Sequence, residues 1–234
     1  MSDLSDKALQ YVKKNRKKIC LDFANPAVYL PTDNPFTIFM AGEPGAGKTE
    51  FSKSYIKELV EKIPGIKIVR IDPDDIREIF VEYTGNNSHE FQRACGQGVE
   101  YLFDHVQEKK INAILDGTFV DYEKQKKNIS RALDRKRKVE IFYIYQNPLT
   151  AWDFTKKREV VEQRHVSKEV FIEAYFKSRE NVNKIKKEFR SEVELSLVLK
   201  DVNNLVEKIH FNIDQLDSFL KESYNRDELE RILK

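Results

Sequence analysis

Apolar residues in this chain alternate between two rhythms. Five short runs, FTIFMA (36–41), IKIVRID (66–72), INAILD (111–116), VEIFYIYQ (139–146) and VELSLVLKD (193–201), are rich in β-branched and aromatic residues and predict buried strands. Between them the spacing lengthens to that of helices. Residues 50–63 place Phe51, Tyr55, Ile56, Leu59, Val60 and Ile63 on one helical stripe. Further helices are expected over 74–83, 89–110, 121–138, 152–165 and 168–189, with a break near Val166 and Ser167, and two short ones over 213–222 and 227–234. A helix over 4–23 opens the chain, followed by a stretch with Pro26, Pro31 and Pro35 that cannot stay helical. Strands that are apolar throughout and alternate with helices imply one α/β fold, a five-stranded, mostly parallel sheet with helices on both faces. The expected organisation is a lead-in over 1–35, a main domain over 36–205 and a C-terminal pair of helices over 206–234 packed on it.

The turn after the first strand carries candidate chemistry. Residues 42–49 read GEPGAGKT, which satisfies G-x-x-x-x-G-K-[ST] between a strand and a helix. In such a loop Gly42, Glu43, Pro44, Gly45, Ala46 and Gly47 form the ATP-binding turn, whose backbone N–H groups, present at every position but Pro44, surround phosphate oxygens. Lys48 meets the terminal phosphates, and the Thr49 hydroxyl meets Mg²⁺. A nucleoside triphosphate is the expected ligand.

Other strand ends are acidic. The second strand ends in Asp72, Pro73, Asp74 and Asp75, any of whose carboxylates is placed to orient a substrate hydroxyl or to cap the next helix. The third ends in Asp116, followed by Gly117 and Thr118, where an acid faces Mg²⁺ or its water shell. Residues 156–168, KKREVVEQRHVSK, hold Arg158 and Arg164, whose guanidinium forks suit a transferring phosphoryl group. Six residues apart, they diverge by about 120° on an unbroken helix and converge only if the chain bends.

Taken in order, GEPGAGKT, IDPDD, a helix carrying Glu100, LDGT and KREVVEQRHVSKEVF resemble the zeta toxin family of P-loop kinases over roughly residues 36–200. The resemblance implies a P-loop kinase fold with a lid around 153–168. It implies transfer of the ATP γ-phosphate to the 3′-hydroxyl of the sugar in UDP-N-acetylglucosamine or a related nucleotide sugar. It makes Lys48 and Thr49 the ATP and Mg²⁺ contacts, Asp74 the base, Glu100, Asp116 and Thr118 the substrate contacts, and Arg158 and Arg164 the phosphate clamp. A small helical antitoxin is the implied partner. The chain departs from the pattern in carrying Asp116 where the family has Glu, and in the shorter stretch between the two arginines.

Charge narrows the alternatives. Lys and Arg number 41 against 39 Asp and Glu, so no global basic excess serves a nucleic-acid coat. A polynucleotide end kinase would use the same loop, base and arginines, with KKNRKK (13–18) or the seven basic residues of 126–138 as its groove. Both runs lack interleaved aromatic platforms and read as solvated helix faces. A regulatory P-loop switch would not need Asp74, Arg158 and Arg164. Apolar stretches of about half a dozen residues fall short of a membrane span. The acidic first residues do not form a signal peptide, so a cytoplasmic enzyme is expected. Cys20 and Cys95 have no ligand spacing, and the four histidines predict no metal site besides Mg²⁺.

Overall fold

The computed structural model of the protein describes residues 2–220 and 224–234. Along it run α1 (Asp3–Lys14), α2 (Arg16–Ala24), β1 (Phe36–Ala41), α3 (Lys48–Lys62), β2 (Ile68–Ile71), α4 (Pro73–Arg77), α5 (Ser88–Glu108) and β3 (Asn112–Leu115). Then come α6 (Tyr122–Asp134), β4 (Lys138–Tyr145), α7 (Pro148–Glu162), α8 (Lys168–Phe189), a 3₁₀ turn (Arg190–Glu192), β5 (Val193–Lys200), β6 (Val206–His210) and α9 (Arg226–Ile232).

The strands lie in the order β2-β3-β1-β4-β5-β6. The first five are parallel, and β6 pairs antiparallel with β5. Strand pleating sends alternate side chains to opposite faces. Ile141, Tyr143 and Tyr145 of β4 therefore join the larger core with α5, α6 and α8. Phe142 and Ile144 join the smaller one, where Phe51, Tyr55 and Leu59 of α3 cover the sheet. Because the sheet is parallel, the turns after β1, β2 and β3 and the entry to α7 all open at its carboxyl edge, where α/β sheets hold ligands.

Four segments differ from expectation. The opening helix is broken at Asn15, whose backbone and side-chain nitrogens both donate to the Tyr11 carbonyl at 2.9 Å and so take the acceptor a continuous helix would use once. Helix α4 stops at Arg77, and successive i→i+3 bonds carry the chain on to Tyr83 with Phe80 packed on Phe91. A sixth strand, β6, stands where the C-terminal helices were expected to begin. Asp201 builds the hairpin, its side chain accepting from the Asn203 and Leu205 amides at 2.9 and 2.8 Å. Residues 213–220 form turns that bury Ile213, Leu216 and Leu220, and the end of that expected helix lies outside the described residues. Helix α9 does form, closed by a capping box between Asn225 and Glu228.

Candidate active site

The loop after β1 needs glycine where neighbouring elements press on it. A Cβ on Gly45, at φ 76°, would lie 2.0 Å from the Ala151 carbonyl of α7. One on Gly47, at φ 84°, would lie 2.2 Å from the Asn204 side-chain oxygen of the β5–β6 loop. Gly47 caps α3, so the positive end of that helix faces the loop's concavity. Lys48, the first residue of α3, folds its ammonium back to donate to the Glu43 carbonyl at 2.6 Å. Burial lowers the Lys48 pKa, opposed by Asp116 and Glu43. Thr118 closes the other side, its carbonyl lying 3.5 Å from the Gly42 amide.

Behind Lys48 stands an acidic group organised by a strand arginine. Arg70 of β2 is nearly buried and pairs with Asp72, with Asp75 at 2.5 Å and with Asp116 at 3.3 Å. Asp72 also caps α4, accepting from the Asp74 amide at 2.8 Å. The Ser52 hydroxyl of α3 donates to Asp116 at 3.2 Å. Burial and the neighbouring Asp72 push the Asp116 pKa up, and Lys48 and Arg70 oppose them.

Asp74 turns the other way and gathers three arginines. Arg77, one turn along α4, pairs with it, Arg164 reaches it at 2.5 Å and Arg158 at 3.3 Å. Burial alone would raise the Asp74 pKa, but the charges of Arg164, Arg77 and Arg158 outweigh it and hold the carboxyl below its usual range. Arg158 and Arg164 converge because the chain bends. Helix α7 ends at Glu162, Gln163 adopts a left-handed conformation at φ 56°, and Arg164 comes round onto the side of Arg158. The loop after α4 braces this turn: Asn86 donates to the Gln163 side chain at 3.3 Å, and Gly85 packs so tightly that a Cβ there would meet the Glu162 carbonyl at 2.3 Å.

Lys48, Asp74, Asp116, Arg158, Arg164 and Thr118 thus share the carboxyl edge. Glu100 is the exception. Its carboxylate pairs with Arg131 at 2.9 Å and Lys124 at 3.7 Å in the contact between α5 and α6, so it is not brought into the Asp74 group. The same helix instead sends Gln92 toward the site, where it accepts from Arg77 at 3.2 Å. Sequence reading also missed Arg70 and Arg77. The signals were present: an arginine inside an apolar strand needs carboxylates at the strand end, and Asp74 and Arg77 stand at i,i+3 on a helix.

A glycine-rich loop feeding a helix N-terminus, acids at the next two strand ends and converging arginines on a parallel sheet define a P-loop kinase fold. The chain belongs to the zeta toxin family, whose model matches residues 23–209, and it is a phosphotransferase of the kinase class. Its fold is similar to a structure from the PezAT chromosomal toxin–antitoxin system of Streptococcus pneumoniae, with 16% identity, TM-score 0.67, 98% of this chain and 93% of that one covered. It is also similar to a structure of the AvrRxo1-ORF1:ORF2 complex with ATP, with 14% identity, TM-score 0.59, 89% of this chain and 65% of that one covered. A third likeness is to the Pnkp1/Rnl/Hen1 RNA repair complex, with 14% identity, TM-score 0.50, 85% of this chain and 55% of that one covered. No curated protein matches the chain by sequence. No helix among the described residues is long and apolar enough to cross a membrane.

Proposed function

We propose that this chain moves the γ-phosphate of ATP to a sugar hydroxyl of a nucleotide sugar, with the 3′-hydroxyl of UDP-N-acetylglucosamine or a related compound as acceptor. The observation that carries the reading is the convergence of Arg77, Arg158 and Arg164 on Asp74 beside the phosphate loop. Three guanidinium groups against two carboxylates, Asp74 and the Glu162 that pairs with Arg158 at 2.8 Å, leave a positive excess where phosphate charge must be held. Asp74 pre-arranges the clamp, and because its neighbours keep it ionised it can accept a hydrogen bond from the acceptor hydroxyl and turn that oxygen toward phosphorus.

Within this reading the N–H groups of residues 42–47 other than Pro44 cradle the nucleotide phosphates, and Lys48 leaves the Glu43 carbonyl for the β and γ oxygens. Arg158 and Arg164 hold the group in transfer. The Thr49 hydroxyl and the Asp116 carboxylate are hard oxygen donors that fit Mg²⁺, and Ser52 orients that carboxylate. When bound, the ion supplies positive charge to the phosphate oxygens. Thr118 lies against the loop on the acceptor side, whereas Glu100, held by Arg131, acts on substrate only after leaving that pair. A small helical antitoxin that covers the loop is the proposed partner, supported by the likeness to a structure from a toxin–antitoxin system.

A polynucleotide kinase is the rival reading, supported by the likeness to an RNA repair complex. Against it, three of the seven basic residues from Lys126 to Lys138 are engaged within the molecule, and the other four are exposed. Lys126 pairs with Glu188 at 2.6 Å, Arg131 with Glu100 and Asp104, and Arg137 is buried. Incubation with ATP, Mg²⁺ and a panel of UDP-sugars, nucleosides and 5′-hydroxyl oligonucleotides separates the two. Mass spectrometry should find one added phosphate on a UDP-sugar. Phosphate gained by the oligonucleotide alone would replace this reading with the rival.

A further inference from the structure

Glu43, the second residue of the phosphate loop, turns its side chain away from solvent into the layer between the loop, β4 and α8. It has no exposed surface, and neither carboxyl oxygen reaches a hydrogen-bond partner. An ionised carboxylate without partners in a dry site is among the costliest arrangements a fold can hold, whereas the neutral acid costs little more than any buried polar group. The loop function described above gives no role to this side chain, although the carbonyl of the same residue holds the Lys48 ammonium at 2.6 Å.

The groups that face Glu43 leave it as the one that titrates near neutrality. Burial pushes its pKa to about 7, opposed by the nearby amides of Glu43 and Gln146, which fall short of hydrogen-bond geometry, and by Lys48. Tyr143 of β4 is raised well above the usual phenol range by burial and by the Glu43 charge, and Tyr175 of α8 is raised to about 12 for the same reasons. Both stay neutral. Ser178 lies in the same layer, and Arg179 is turned out to pair with Asp217 at 2.6 Å. Lys48 is then the cation on which any negative charge at Glu43 depends.

Phosphate binding would remove that support. It draws Lys48 off the Glu43 carbonyl and places new anionic charge on the other side of a loop one residue thick. Each change favours a proton on Glu43. We propose that Glu43 is a proton-binding residue of the phosphate loop, entering the nucleotide complex as a neutral carboxylic acid, so that nucleotide binding takes up one proton from solvent. The sign follows by linkage: affinity is highest where Glu43 is already protonated and weakens as pH rises past the free-state value, by at most about tenfold per pH unit for one proton.

This inference rests on the loop binding a nucleoside triphosphate, and one experiment separates the two claims. The full chain is titrated with ATP and Mg²⁺ in a calorimeter at pH 7.5, in buffers of different ionisation enthalpy, beside Glu43→Gln. The nucleotide's own protons are common to both proteins and cancel in the difference. The wild type should take up a fraction of a proton more than Glu43→Gln, and above pH 7 its Kd should rise relative to the variant's. Equal proton uptake, with affinities that run parallel from pH 6 to 9, overturns the role of Glu43 and leaves the nucleotide site intact. No binding by the wild type overturns the nucleotide site itself. Should Glu43→Gln not fold, the wild type alone answers through its infrared difference spectrum. Gain of a neutral carboxylic-acid carbonyl band on adding ATP at pH 8 supports the proposal, and its absence refutes it.

Discussion

Both ends of the sheet bury arginines, and the two ends use them in opposite ways. At the amino edge Arg137 donates to the Thr37 hydroxyl and to the carbonyls of Phe36 and Ile111, each at 2.6 Å, and to the Val106 carbonyl at 3.4 Å. No carboxylate pairs with it among the described residues, and burial followed by the charge of Arg135 lowers its pKa to about 10. At the carboxyl edge Arg70 and Arg77 meet carboxylates, and Arg158 and Arg164 join them from a bent helix end. An arginine satisfied by carbonyls is a staple: its partners are fixed backbone, and nothing that binds can replace them. Arginines held by side-chain carboxylates at a ligand-facing edge, Arg164 by Asp74 and Arg158 by Asp74 and Glu162, can be handed to another anion. The same residue type therefore marks structure at one edge and the proposed phosphate chemistry at the other.

The largest expected break in that contrast is Asp74→Asn. It should lower phosphate transfer by on the order of 10²–10⁴-fold with ATP affinity kept, measured as initial rates beside calorimetric binding. Its stability effect has a definite pH dependence. The folded-state pKa of Asp74 is depressed, so the stabilisation is present above the ordinary carboxylate range and is lost as pH falls through the depressed value. Urea melts should therefore show wild type and Asp74→Asn drawing together on acidification. Arg164→Ala comes next, with a loss of about 10²–10³ in kcat for one phosphate-stabilising group and little change in unfolding.

At the other edge the effects exchange places. Arg137→Met should destabilise the fold by about 3 kcal/mol, since it leaves buried acceptors without donors, and should leave the rate per folded molecule unchanged. A slowed reaction at full stability would erase the distinction between the two edges. Smallest of all is Glu100→Gln. A partly exposed ion pair should cost under about 1 kcal/mol, and with Glu100 facing Arg131 the acceptor KM should stay as it was. A large rise in KM would return Glu100 to the substrate.

What could be read in the sequence follows the strength of the local signal. The phosphate loop was legible because glycine, lysine and threonine at set spacing sit between an apolar run and a helical stripe. The sheet was legible because its central strands are apolar on both faces. Strand β6 was not, since VEKIH is short, largely exposed and defined by its pairing with β5. The short α4 was hidden by tertiary packing, which uses Phe80 against Phe91 in place of further helical turns. At the site, the need for a bend between Arg158 and Arg164 was visible in their spacing, and Gln163 provides it. The placement of Glu100 was not visible, because a carboxylate on a long helix can face several neighbours and only the position of α6 decides among them.

The central claim, that the edge with exchangeable arginines transfers phosphate to a sugar hydroxyl, is tested most directly by the product's structure. Wild-type protein is incubated with ATP, Mg²⁺ and UDP-N-acetylglucosamine, and the product is examined by phosphorus NMR with proton coupling. The expected product is a new phosphomonoester coupled to the proton on the sugar's 3′ carbon. Inorganic phosphate as the sole product, with the sugar nucleotide unchanged, would contradict it.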